Sequence, residues 1–108
     1  MNVRQLSVED LQRRYAAGER MTLLDVREPF EVEAADLPYA SLKLRMHDVP
    51  RRFNEVPRDA TVVVYCHLGV RSERVAEFLE AQGFADVANL DGGIDAWSLR
   101  VDPNVPRY

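Results

Sequence analysis

The segment TVVVYCHLGVRS, residues 61–72, joins a strand pattern to a helix pattern through one short loop. Its first five residues, TVVVY, are apolar and mostly β-branched, which predicts a short strand covered on both faces. Cys66 follows directly, and a helix is predicted from residue 71 to residue 82, where apolar residues recur at helical spacing. Gly83 is suited to end that helix. The segment therefore predicts a strand, a loop and a helix, as in a parallel α/β sheet.

The rest of the chain repeats this alternation of strand and helix patterns. Further strands are predicted at residues 3–6, 21–26, 41–44 and 87–90. Further helices are predicted from the cap Ser7 to Gly18, at residues 28–35, from the cap Asp48 through Phe53 to about residue 56, and after Gly92. Strands that alternate with helices indicate a parallel sheet wrapped by helices on both faces through right-handed crossovers.

Length and composition bound the class of protein. The 108 residues fit one domain, residues 1–108, and the 46 % hydrophobic and 30 % charged fractions are typical of a globular protein. No apolar run approaches the roughly 20 residues of a membrane-spanning helix, and the first residues lack a secretory signal pattern, so we expect a cytoplasmic protein. The net charge of −4 gives no reason to expect nucleic acid or an anionic membrane as a partner.

The chain contains one cysteine, Cys66, and two histidines, His47 and His67. An intramolecular disulfide and a cysteine-based zinc site are therefore excluded, and we expect no metal. A lone cysteine is either an inert core residue or a reactive thiol. The surrounding sequence has to decide between these two alternatives.

The loop around Cys66 favours the reactive alternative. Ligands of parallel sheets bind beyond the carboxyl ends of the strands, which is where Cys66 lies. A short loop that contains Gly69 tends to turn successive backbone N–H groups toward one point, and the following helix adds its positive N-terminal end. Arg71 adds a positive charge at the rim. These features favour a thiolate, and they would also hold a persulfide anion or a substrate oxyanion.

We therefore take Cys66 as the candidate catalytic residue. The candidate substrate-binding residues are the rest of the loop and the start of the helix: His67, Leu68, Gly69, Val70, Arg71 and Ser72. Two readings of His67 stay open, because its side chain is either a spectator or tunes the entrance to the site.

Three segments resemble the motifs of rhodanese-like domains. CHLGVRS, residues 66–72, is similar to the active-site loop C-x-x-G-x-R-S of that family. LLDVREPFE, residues 23–31, resembles its first signature, and NLDGGIDAW, residues 89–97, resembles its closing motif L-x-G-G-x-x-A-W. The matches occur in the family's order across most of the chain. The resemblance implies the rhodanese-like α/β fold, with a five-stranded parallel sheet.

The resemblance also implies a chemistry, that of a thiosulfate sulfurtransferase. Cys66 would attack the outer sulfur of a small anionic donor, thiosulfate or a persulfide, and become a persulfide. Cyanide, a small thiol or a sulfur-acceptor protein would then take the sulfur, in a double displacement that needs no cofactor. The tail VDPNVPRY, residues 101–108, is similar to the ends of rhodanese domains fused to adenylyltransferases, which suggests transfer of sulfur between proteins.

Two further segments bear on the site and its surroundings. Asp25 and Arg27 match the family's Asp-x-Arg, and we expect them to brace the Cys66 loop through hydrogen bonds and an ion pair. Residues 35–40 read ADLPYA where the family usually has G-H-I-P-G-A, so both glycines and the histidine are missing. A positive φ at Tyr39, in place of the second glycine, would be costly.

Two alternative functions stay open. A cysteine-dependent phosphatase or arsenate reductase would use the same nucleophile, but this chain has four residues between Cys66 and Arg71 where cysteine phosphatases have five. A shorter loop closes a smaller ring of amides, which suits one sulfur atom better than a phosphate. The other alternative is a non-catalytic docking module, and such modules usually lack the cysteine.

Overall fold

Strands and helices alternate along the chain in a computed structural model that describes residues 3–108. The strands are β1 (Arg4–Leu6), β2 (Met21–Asp25), β3 (Leu42–Lys43), β4 (Thr61–Tyr65) and β5 (Val87–Leu90). The helices are α1 (Val8–Ala16), α2 (Pro29–Ala34), α3 (Val49–Arg52), α4 (Val70–Ala81) and α5 (Gly93–Arg100), with 3₁₀ turns at Met46–Asp48 and Phe53–Glu55. The predicted order of elements is confirmed. No helix in residues 3–108 is both long enough and apolar enough to cross a membrane.

The five strands form one parallel sheet in the order β1-β5-β4-β2-β3. This arrangement confirms the predicted five-stranded α/β sheet. β4 is the central strand, and Cys66 follows it at its carboxyl end. The strands β5 and β2 flank β4, so the turns that follow these three strands meet at one edge of the sheet.

The side chains of β4 alternate between two apolar clusters, one on each face of the sheet. Val62 and Val64 pack on the face covered by α4, whereas Val63 and Tyr65 pack on the face covered by α1 and α5. The three valines are at most 1 % exposed. Burial of each contributes about 1.5–3 kcal/mol to folding. Helices thus cover both faces, as the strand and helix patterns predicted.

The two predicted helix caps have different outcomes. Ser7 caps α1, because its hydroxyl oxygen accepts a hydrogen bond from the backbone N–H of Asp10 at 3.1 Å. The prediction that Asp48 caps α3 is wrong. Its carboxylate binds the guanidinium groups of Arg45 and Arg51 at 3.0 and 3.1 Å. Asp48 ends a 3₁₀ turn and already has a helical backbone, whereas a capping residue needs an extended one.

Residues 35–40 fold without the family's glycines. Every non-glycine residue in the described part of the chain has a negative φ, so Tyr39 avoids the costly positive φ that the second glycine of the family motif could adopt. The Tyr39 ring stacks on Tyr15 at 3.7 Å between centroids and meets Trp97 edge-on at 5.4 Å. Asp36, where the family has histidine, accepts a hydrogen bond from the Tyr65 hydroxyl at 2.9 Å. Side-chain contacts therefore hold this segment.

Candidate active site

The sulfur of Cys66 lies in a cradle formed by its own loop and the first turn of α4. The backbone N–H groups of Gly69 and Ser72 point to Sγ, with N···S distances of 3.2 and 3.4 Å. The Ser72 hydroxyl lies 3.3 Å from the same sulfur. Cys66 as a whole is 1 % exposed. A sulfur anion here has nearby donors in place of water, which is the arrangement that the loop sequence predicted.

Gly69 makes the cradle possible through its backbone. Its φ is 95°, in the left-handed region that favours glycine. A Cβ atom at this position would lie 3.1 Å from the nitrogen of Gly92 and 3.4 Å from the carbonyl oxygen of Leu90. The chain therefore turns at Gly69 in close contact with the β5–α5 connection, and α4 begins at the next residue.

The N-terminus of α5 holds the outer side of the loop. The N–H groups of Ile94 and Asp95 donate to the carbonyl oxygens of Cys66 and His67 at 3.0 and 3.1 Å. A Cβ atom at Gly93 would lie 2.4 Å from the His67 oxygen and 2.6 Å from the Cys66 oxygen. Only glycine allows α5 to approach the loop this closely, which explains the second glycine of the NLDGGIDAW segment.

Asn89 connects the cradle to β5 and was not singled out by the sequence. Its side-chain oxygen accepts a hydrogen bond from the Ser72 hydroxyl at 2.5 Å, and its amide nitrogen donates to the Gly69 carbonyl at 3.1 Å. Asn89 is buried. The sequence signal that could have identified Asn89 is its position at the start of the NLDGGIDAW segment. The residue ties together the two loop positions whose N–H groups face the sulfur.

Arg71 binds the carboxylate of Glu31, a residue that the sequence did not single out. Its Nη1 and Nη2 atoms donate to Oε1 and Oε2 of Glu31 at 2.7 and 2.8 Å. The Glu31 side chain is 6 % exposed and that of Arg71 is 35 % exposed. The hydrogen bonds from Arg71 are the main cause that lowers the pKa of Glu31 from 4.5 to about 2, with burial opposing them. The expected positive charge at the rim is thus half of an ion pair.

The pair with Glu31 also keeps the guanidinium of Arg71 charged. The pKa of Arg71 is raised, first by the hydrogen bonds to Glu31, with burial opposing them. Glu31 lies within the LLDVREPFE segment, so its place in a family motif was the signal that could have identified it.

Asp25 and Arg27 form the expected ion pair, but they do not bond directly to the Cys66 loop. The Nε and Nη2 atoms of Arg27 each lie 2.9 Å from a carboxylate oxygen of Asp25, and both side chains are fully buried. The Nη1 atom of Arg27 donates to the carbonyl oxygens of Ala35 and Glu31 at 2.8 and 3.2 Å. Arg27 lies just before α2, and its guanidinium reaches these two carbonyl oxygens at the C-terminal end of the helix. The pair therefore braces α2, the helix that carries Glu31.

The other predicted substrate-binding side chains lie around the loop. The ring of His67 stacks on Tyr108, with 4.0 Å between centroids and 15° between planes. The side chains of Leu68 and Val70 are exposed to solvent. Of the predicted set, Gly69 and Ser72 are the residues that contact the Cys66 sulfur.

No three His, Cys, Asp or Glu side chains in residues 3–108 are grouped so that they could hold a metal ion. A cleft of about 470 Å³ lies beside α2 and is lined in part by Arg45 and Arg52. Both guanidinium groups are already paired, with Asp48 at 3.0 Å and with Glu55 at 2.7 Å.

The fold and the site define an α/β protein with a cysteine loop at the carboxyl edge of a parallel sheet. The model of the rhodanese-like domain family matches residues 7–100, and the chain belongs to that family. A sulfurtransferase of Allochromatium vinosum is 42 % identical over 96 residues, which cover 89 % of each chain. The thiosulfate sulfurtransferase GlpE of Pseudomonas syringae is 37 % identical over 75 residues, covering 69 % of this chain and 70 % of that protein.

A solved structure agrees with the fold. The crystal structure of a rhodanese-related protein from Thermoplasma volcanium superimposes with a TM-score of 0.83 at 30 % identity, covering 97 % of this chain and 99 % of the other. The resemblance noted from three sequence segments is thereby confirmed as family membership over nearly the whole chain.

Proposed function

We propose that the protein is a sulfurtransferase that moves sulfane sulfur from thiosulfate or a persulfide donor to a thiol, cyanide or a protein acceptor. The observation that carries this proposal is the cradle, in which the N–H groups of Gly69 and Ser72 face the buried Cys66 sulfur at 3.2 and 3.4 Å. A relative named as a sulfurtransferase supports the reaction class. A relative named as a thiosulfate sulfurtransferase supports the donor.

The first half of the reaction loads Cys66. The thiol gives its proton to solvent, and the thiolate attacks the outer sulfur of thiosulfate. A bond forms between the two sulfur atoms while the bond to the sulfonate sulfur breaks, and its electron pair leaves with sulfite. In the second half Cys66 is the leaving group, because an acceptor nucleophile attacks the terminal sulfur and Cys66 leaves as a thiolate. Electrons balance within these two displacements, so no external oxidant or reductant is needed.

The loop amides support both halves of this cycle. Negative charge resides on Cys66 as a thiolate before loading and on the terminal sulfur after it. Hydrogen bonds to a charged group stabilise it by about 1.5–3 kcal/mol each, and the positive N-terminal end of α4 adds to this. Because the donors are fixed by Gly69 and by the first turn of α4, they are already in place when Cys66 attacks as a thiolate and when it leaves as one.

The geometry of Arg71 favours sulfur transfer over the phosphatase alternative. Both of its terminal nitrogen atoms already bind Glu31. A phosphate dianion needs donors for three oxygen atoms, and a guanidinium that binds phosphate offers its two N–H groups as a fork. The fork is occupied here, and the pair is partly buried. We therefore expect Arg71 to attract anionic donors through charge while it stays bound to Glu31.

Turnover of two substrates by wild type and Cys66→Ser tests this proposal. We expect wild type to form thiocyanate from thiosulfate and cyanide and to have negligible activity on an aryl phosphate. Cys66→Ser should lose sulfur transfer while its circular dichroism spectrum stays unchanged. Aryl phosphate turnover that rivals sulfur transfer in wild type and disappears in Cys66→Ser would instead establish the phosphatase alternative. Thiocyanate formation that persists in the variant would refute the role of Cys66.

A further inference from the structure

The C-terminal segment, residues 101–108, returns from α5 to the active site. Val105 is buried in the apolar cluster that α1 and α5 share. Next to Tyr108, the guanidinium of Arg107 binds the carboxylate of Asp95 at 2.9 Å. The segment is therefore attached to the body of the protein at two points before it reaches Tyr108.

Tyr108 contacts three parts of the site at once. Its hydroxyl donates to Oε2 of Glu31 at 2.8 Å and accepts a hydrogen bond from Nη1 of Arg27 at 3.3 Å. Its ring stacks on His67 in the Cys66 loop. The Oε2 atom that Tyr108 binds is also the one that accepts from Nη2 of Arg71. Tyr108 thus joins the turn after β2, the helix α2 and the catalytic loop.

The geometry around Glu31 gives the Tyr108 hydroxyl a specific task. A bidentate pair requires both carboxylate oxygens to lie near the plane of the guanidinium group. Each oxygen of Glu31 has one further donor, the backbone N–H of Glu28 on Oε1 at 3.0 Å and the Tyr108 hydroxyl on Oε2. These two donors act from opposite ends of the carboxylate and restrict its rotation. Loss of either one would free Glu31 to turn and Arg71 to move with it.

We propose that Tyr108 is a positioning residue for the chemistry at Cys66. It fixes the carboxylate of Glu31, which in turn fixes the charge of Arg71 beside the catalytic loop. This inference rests on the proposed function, since it names a residue that helps that site to meet an anionic sulfur donor. Tyr108 has no contact with the reacting sulfur and acts through Glu31 and Arg71.

The test compares Tyr108→Phe with wild type. Phenylalanine keeps the ring that stacks on His67 and removes only the hydroxyl. We expect kcat/KM for thiosulfate to fall about fivefold, the factor that corresponds to one hydrogen bond of about 1 kcal/mol. The acceptor half-reaction with cyanide should change by less, because cyanide attacks as a monoanion whereas thiosulfate is a dianion.

Alkylation of Cys66 supplies a readout that does not depend on sulfur transfer. Iodoacetate is an anion and iodoacetamide is neutral, so the ratio of their rates reports the positive charge near the sulfur. We expect Tyr108→Phe to lower this ratio about threefold to fivefold, within the effect of one hydrogen bond. Tyr15→Phe is the matched control, because Tyr15 is also partly exposed and stacked on an aromatic ring. It should leave the ratio unchanged.

These measurements distinguish a failure of the positioning role of Tyr108 from a failure of the proposed sulfurtransferase function. A ratio that stays at the wild-type value in Tyr108→Phe, or rates that change equally for both reagents, would overturn the positioning role. Equal changes are what a general loosening of the structure would produce. If wild type failed to use any sulfane sulfur donor, the proposed function would fail, and the alkylation ratio would still decide the role of Tyr108.

Discussion

Cys66 is buried as a whole residue, and its sulfur faces the backbone N–H groups of Gly69 and Ser72. The loop sequence was sufficient to predict that N–H groups would face this sulfur, because Gly69 and the helix start lie a few residues away. It was not sufficient to predict the partners of Ser72 and Arg71. Those partners, Asn89 and Glu31, come from other parts of the chain, and only the folded sheet brings them to the loop.

The ion pair of Glu31 and Arg71 makes a prediction about acid stability. The pKa of Glu31 is lowered from 4.5 to about 2, mainly by the Arg71 hydrogen bonds. A carboxylate with a lowered pKa stabilises the folded state at pH values above its ordinary pKa. A shift of this size corresponds to a contribution of about 3 kcal/mol to the free energy of unfolding. That stabilisation is lost as pH falls from about 5 toward about 2.

We therefore expect Glu31→Gln to lower the free energy of unfolding by about 2–3 kcal/mol at pH 7. The difference from wild type should shrink steadily in urea unfolding measured at pH 7, 5, 4 and 3. Glu33→Gln is the control on the same helix, where the side chain is exposed, and it should change stability by less than about 0.5 kcal/mol. A difference between Glu31→Gln and wild type that stays constant down to pH 3 would contradict the assignment.

At the scale of elements, α5 meets the Cys66 loop through Gly93. Gly93 and Gly18 both have a positive φ, of 62° and 77°. A Cβ atom at Gly93 would collide with the carbonyl oxygens of Cys66 and His67, whereas one at Gly18 would have no atom within 4 Å. Substitution by alanine would therefore strain the backbone at both glycines, but it would cause a steric collision only at Gly93.

Gly93→Ala should consequently destabilise the protein by about 1–3 kcal/mol more than Gly18→Ala, the usual cost of overpacking. It should also reduce sulfur transfer by at least about tenfold, because the Cys66 carbonyl has to move and the sulfur moves with it. Gly18→Ala should retain wild-type turnover of thiosulfate. Unfolding curves and turnover of both variants check this, and equal turnover in the two would show that the contact with α5 does not position the loop.

The elements differ in how well the sequence predicts them. β4 and α4 were predicted closely, because TVVVY is a fully buried strand and α4 is long enough to show its period. The edge strand β3 lies within its predicted range, residues 41–44, but is only two residues long. The sequence left the backbone of the segment after Ala35 open, and the structure shows a negative φ at Tyr39 together with stacking of its ring on Tyr15.

At the scale of the whole molecule, the strand order assembles the site. β5, β4 and β2 are adjacent, so the turns that carry Gly93, Cys66 and Arg27 meet at one edge of the sheet. The sequence predicted a parallel sheet with Asp25 and Arg27 near the Cys66 loop, but the strand order that also brings Gly93 there comes from the structure. The contact between Tyr108 and Glu31 spans 77 residues and involves a segment without regular structure. No periodicity or motif reports such a contact, and it required the folded chain.

The central claim is that Cys66 carries sulfur as a persulfide, and intact mass spectrometry under non-reducing conditions tests it most directly. After incubation with thiosulfate and removal of the excess, wild type should gain the mass of one sulfur atom, and cyanide should remove it. Cys66→Ser, the variant without a thiol, should gain nothing. A wild-type mass that stays unchanged, or a gain of sulfur that persists in Cys66→Ser, would contradict the account.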